Sequence, residues 1–121
     1  IVLAEGVRSI VEGIHPKFLV VWSNWGGQAV NLSQQRTTVP ILAFNPNSKR
    51  LRQLSLLYSI TPIFLKQPKS GSAFIKLIDK MLLEKKWAKK GDAIVIVSPD
   101  PIQKLGFSNR IVIHYLGELS D

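Results

Sequence analysis

The run Phe18-Leu19-Val20-Val21-Trp22 constrains this chain more than any other stretch. It is continuously apolar and rich in β-branched and aromatic residues, the signature of a strand covered on both faces. Ser23-Asn24-Trp25-Gly26-Gly27-Gln28-Ala29 follows, a polar turn with paired glycines leading into the start of a helix. Glycines there let a backbone come close to something, and the free N–H groups of a helix start favour anions. Many strand-to-helix turns hold nothing, so the turn marks a place to look for an anion and no more.

Four more runs read as strands. Val39 to Phe44 is a second strand, with Pro40 at its beginning, where no donor is needed. Ile60 to Leu65 is a third, and Pro62 inside it argues for an edge position. Ala93 to Val97 is a fourth. Arg110 to Leu116 is a fifth, alternating Ile111 and Ile113 with Val112 and His114.

Helical patterns separate most of these runs. Val7, Ile10, Val11 and Ile14 recur at i, i+3, i+4 and i+7, and His15-Pro16 ends that helix. Gly26 to about Arg36 reads as a second helix, with Ala29, Val30 and Leu32 as its apolar residues. Asn45-Pro46-Asn47-Ser48 reads as a turn and helix cap, and Leu51, Leu54 and Tyr58 mark a helix face after it. After a loop from Gln67 to Gly71, Ser72 is placed to cap the last helix, whose stripe is Phe74, Leu77, Ile78, Met81 and Leu82. Gly91-Asp92 is a turn, and the acidic tail after Gly117 is expected to fray.

Strands alternating with helices predict a mostly parallel sheet with helices on both faces. The link between the fourth and fifth strands is too short for a crossover helix, which predicts an antiparallel last strand. At 121 residues the chain reads as one domain over 1–121, long enough for a core without staples. It has no cysteine, which excludes disulfides and thiolate zinc sites, and no apolar run approaches a membrane span. It begins at Ile1, and the expectation is a processed product or a piece of a longer chain.

The net charge is +8, and Lys66, Lys69, Lys76, Lys80, Lys85, Lys86, Lys89, Lys90 and Lys104 lie in the second half. Such a face attracts nucleic acid, an anionic membrane or an acidic partner. A solvated helix face is the simpler reading, since no aromatic nucleic-acid motif accompanies it. Lys85, Lys86, Lys89 and Lys90 also follow the last helix, where cations complement the carbonyl end of the dipole.

Trp22-Ser23-Asn24-Trp25-Gly26-Gly27-Gln28-Ala29, Gln35-Arg36, Val39-Pro40-Ile41, Lys90-Gly91-Asp92 and Gly106-Phe107-Ser108-Asn109 together resemble the C-terminal domain of pyruvate kinase. The resemblance runs in register from about Val7 to Leu116. It implies an α/β three-layer α/β/α sandwich, a five-stranded mixed sheet of order 3-2-1-4-5 with strand 5 antiparallel. The first and fourth strands then meet where the winding reverses, the place where open α/β sheets bind ligands.

In that family the crevice is an allosteric pocket for sugar phosphates or similar effectors. The expected effector or anion residues here are Ser23, Asn24, Gly26, Gly27, Gln28, Lys104 and Gly106. The family loop reads Thr-x-Ser-Gly-x-Ser/Thr. Ser23 keeps a hydroxyl and Gly26 the glycine, but Trp25 replaces a small serine and Gln28 replaces Ser or Thr. The loop before Gly106 has Lys104 and no arginine. The phosphate cradle therefore reads as degenerate.

Catalysis in the parent enzyme, from phosphoenolpyruvate and ADP to pyruvate and ATP, belongs to a barrel domain that holds Mg²⁺ and K⁺. The expectation here is no catalytic residue, no metal and no cofactor in this domain. Asp79, Glu84, Asp92 and Asp100 are spread over a helix, a turn and a loop, and His15 and His114 have no partner legible in the sequence. The role expected is regulation and subunit assembly, as a homo-oligomer or in a larger assembly, through the last strand and helix faces, with a phosphorylated small molecule as the possible effector. A degenerate scaffold subunit and a free-standing small-molecule binding domain are the alternatives. Cytoplasm is the expected compartment, or a plastid if a transit peptide has been removed.

Overall fold

The computed structural model describes residues 2–22, 39–47, 49, 52, 60–66, 68–99 and 110–117. They contain five strands and two helices: α1 (Val2–Ile14), β1 (Phe18–Trp22), β2 (Ile41–Asn45), β3 (Ile60–Phe64), α2 (Gly71–Glu84), β4 (Ala93–Ser98) and β5 (Arg110–Tyr115). The expected helix at 26–36 lies outside the described residues, as does the one around 51–58 except for Arg52, which is helical.

The strands form one sheet of order β3-β2-β1-β4-β5. β1 runs parallel to β2 and to β4, with Val21 opposite both Ala43 and Val97. β3 runs parallel to β2 and places Pro62 opposite Ala43. β5 is antiparallel to β4, from Ala93 opposite Tyr115 to Ser98 opposite Arg110. Parallel strands covered on both sides explain why the central runs are apolar at every position.

Alternate residues of those runs build two cores. Leu19, Val21, Ile41, Ala43, Val95 and Val97 pack with Val7 and Val11 of α1. Val20, Trp22, Leu42, Phe44, Ile94 and Ile96 pack with Phe74, Ile78 and Leu82 of α2. The result is the three-layer sandwich. The second core is centred on Phe74, whose ring meets Trp22 and Phe44 edge-on, each at 5.6 Å between centroids.

Several boundaries differ from the sequence expectation. Val39 and Pro40 precede β2 instead of opening it, although the Pro40 carbonyl accepts from Leu19 N–H at 3.0 Å. Asn45 closes β2, and its side-chain oxygen accepts from Asn47 N–H at 2.7 Å, so it begins the turn while still in the strand. β3 ends at Phe64, one residue before Leu65, and β4 extends to Ser98. β5 ends at Tyr115, because Leu116 already belongs to the turn, where its N–H donates to the Asp92 carbonyl.

The cap of α2 is Ser70, not Ser72. The Ser70 hydroxyl accepts from Ala73 N–H at 3.1 Å, the N3 position, whereas Ser72 lies inside the first turn. Leu77 is also not core: it is 44% exposed, and Asp79 is buried in its stead. The two residues stand about 200° apart around the helix, so they flank the Phe74–Ile78–Leu82 stripe on opposite sides.

Helix α2 stops in a Schellman turn. Trp87 N–H donates to the Leu82 carbonyl and Lys86 N–H to the Leu83 carbonyl, with Lys86 at φ 59°. A lysine at that left-handed position costs about 1 kcal/mol against glycine. Lys86→Gly is therefore expected to raise stability by about 0.5–1 kcal/mol, read as a higher urea midpoint at unchanged m. The lysines thus sit just beyond the last helical turn, with none inside it.

Candidate functional site

Parallel strands all deliver their carboxyl ends to the same side of the sheet. β1 and β4 are neighbours there, and the connections from them proceed to opposite halves of the sheet. This is the topological switch point, the ligand crevice of open doubly wound sheets. The described residues nearest to it are the last of three strands: Trp22, Asn45 and Ser98. All three are buried. The Trp22 indole N–H has no hydrogen-bond acceptor, the one such buried side-chain atom among the described residues.

Ser23, Asn24, Gly26, Gly27, Gln28, Lys104 and Gly106 all lie outside the described residues. Trp22 stands immediately before the first group, and Ser98 ends the strand that precedes the second.

A second polar cluster sits at the opposite, amino end of the parallel strands. The Asp79 carboxylate projects from α2 and accepts from His114 Nε2 of β5 at 2.8 Å and from Gly117 N–H at 2.9 Å, both at Oδ2. The side chains are only 6% and 11% exposed. Two donors converging on one oxygen satisfy a carboxylate that burial would otherwise penalise. Gly117 supplies its N–H at φ 85°, a conformation that favours glycine. Among the described residues no hydroxyl or thiol is hydrogen-bonded to His114. The pair is a clamp between α2, β5 and the turn after it.

Sequence reading left His114 without a partner because the two side chains are 35 positions apart. One signal was present: Asp79 sits directly beside Ile78 and three residues before Leu82, inside the buried arc of a helix. A carboxylate in that place needs a donor.

Among the described residues no group of three or more His, Cys, Asp or Glu side chains is placed to hold a metal. No described helix is long and apolar enough to cross a membrane.

The fold and the switch point define the class: an open, doubly wound α/β domain with a reversed last strand. The sequence family described as "Pyruvate kinase, alpha/beta domain" matches residues 2–114. The pyruvate kinase of Mycobacterium tuberculosis is 31% identical over 117 residues, 97% of this chain and 25% of that protein. That of Corynebacterium glutamicum is 26% identical over the same share of both chains. That of Staphylococcus aureus is 27% identical over 105 residues, 87% of this chain and 18% of the relative. The chain belongs to the pyruvate kinase C-terminal α/β domain family. It spans about a quarter of the length of the Mycobacterium tuberculosis and Corynebacterium glutamicum relatives.

Proposed function

We propose that this domain is a non-catalytic regulatory and subunit-assembly unit of a pyruvate kinase-type protein. The observation that carries the reading is the outer edge of β5. β5 closes one side of the sheet, and among the described residues no strand pairs with its outer edge. Ile113 and Tyr115 are 41% and 40% exposed on it. An uncovered strand with apolar, exposed side chains is a template for pairing. Its own copy, related by a two-fold axis, would extend the five strands to a continuous sheet.

The test is a charge placed on that strand. Ile113→Lys is expected to convert a dimer to a monomer in sedimentation velocity while far-UV circular dichroism stays unchanged. An identical sedimentation coefficient for wild type and a folded variant would remove β5 from assembly.

Regulation would act at the switch point. Serine and glycine at positions 23 and 26 support descent from a phosphate loop, and Trp25 and Gln28 support its degeneration. Calorimetric titration with fructose bisphosphate and sugar monophosphates is expected to give no heat of binding up to millimolar ligand. Trp25→Ser is expected to restore measurable binding. Saturable heat with the unmodified chain would show that the cradle still works.

A further inference from the structure

The lysine-rich flank of α2 is not a uniformly solvated face. Two recesses, of about 500 and 330 Å³, lie between α2 and the chain that leaves β3. Leu65, Leu77 and Lys80 line both, so the recesses join into one trough. It extends along α2 from Ala73 to Glu84, about 16 Å at the rise of a helix. Its floor is apolar, with Leu65, Leu77 and Met81, and Leu77 is 44% exposed.

Its borders are cationic. Lys66, Lys76 and Lys80 stand along the floor, and Lys85 closes one end with its ammonium 5.4 Å from the Trp87 ring centre. Among the described lining residues Glu84 is the one carboxylate, and it is 3.9 Å from Lys80. No described carboxylate pairs with Lys66 or Lys76. A lone exposed leucine on a protein surface calls for no explanation. Here the leucine is continuous with other apolar side chains in a concave surface, and the charge around it is almost entirely of one sign.

We propose that this trough docks an acidic amphipathic segment of a partner protein, of about three helical turns. Leucine- or phenylalanine-type side chains on one face would occupy the apolar floor, as helix-in-groove binding requires. Aspartates and glutamates beside them would meet Lys66, Lys76 and Lys80, which steers encounter and fixes orientation. A polyphosphate backbone would meet the lysines but leave the apolar floor unused, which is why a peptide is favoured over nucleic acid.

The probe is a displayed library of 16-residue amphipathic helices with the polar positions randomised, selected against the chain and read out by fluorescence anisotropy. Selected sequences are expected to be rich in Asp and Glu. A selected peptide should lose at least ~10-fold in affinity when its carboxylates become amides, and to weaken as salt rises. Lys76→Glu with Lys80→Glu should cost about 10-fold, and Leu77→Ser about 5-fold. Both variants change exposed side chains, so unchanged circular dichroism is expected for each.

Selection with no acidic enrichment would overturn the proposal. So would affinities that the trough variants leave unchanged. Equal or tighter binding of a single-stranded oligonucleotide, insensitive to Leu77→Ser, would overturn it in favour of a plain polyanion surface. If the natural product extends beyond these residues, the same titration is made on that whole protein, and a trough already covered there also overturns it.

Discussion

Phe74→Ala is expected to lower the unfolding free energy by about 3–5 kcal/mol. The Phe74 side chain has no solvent exposure and stands between Trp22 of β1 and Phe44 of β2. Truncation removes the burial of a large aromatic ring, two edge-on ring contacts and the filling of the space between helix and sheet. Neither tryptophan nor phenylalanine can collapse into that space, because both are anchored in strands. Domains of this kind have a total stability of roughly 5–15 kcal/mol, so the loss is a large share. With a urea slope of about 2 kcal/mol/M, the midpoint should fall by roughly 2 M. Phe74→Leu keeps most of the volume and should lose no more than about half as much. A fall below 1 kcal/mol for the alanine variant would mean that α2 does not seat Phe74 as described.

Asp79→Ala carries the second large expectation, a loss of about 3 kcal/mol. The change leaves the His114 ring and the Gly117 N–H without their shared acceptor at a part-buried contact. Asp79→Asn retains a side-chain carbonyl of similar shape and should lose about half as much. His114→Phe alone strips one donor from the carboxylate and should also destabilise. The informative comparison is the pair: Asp79→Leu with His114→Phe replaces both partners by apolar groups. It should be less destabilised than the sum of the single changes, by about 1–3 kcal/mol. Strict additivity in urea unfolding would show that the two side chains do not act as a unit.

The strands were largely legible, and for a physical reason. A parallel strand buried on both faces needs apolar residues at successive positions, so Phe18–Trp22 announced itself without periodicity. Pro62 announced the edge, because a proline has no donor for a second neighbour. The antiparallel β5 followed from chain length alone, since ten residues cannot hold a crossover helix.

What the sequence hid depends on long-range geometry. The Asp79–His114 contact exists only once β5 has reversed beside β4 and α2 has packed with Asp79 toward it. Leu77 looked like core because an apolar stripe does not reveal where its centre lies. Packing shifted that centre toward Asp79 and left Leu77 at the trough. Ser70 and Ser72 are both good caps by residue type, and only the donor at Ala73 distinguishes them. The predicted effector residues begin one position after β1 ends, outside the described residues, so their part in the account is tested by titration.

Light scattering of the unmodified chain across a range of protein concentration tests the assembly claim most directly. The expected mass rises to twice the 13.5 kDa of one chain as concentration increases. A mass that stays at one chain at the highest concentration reached would contradict it.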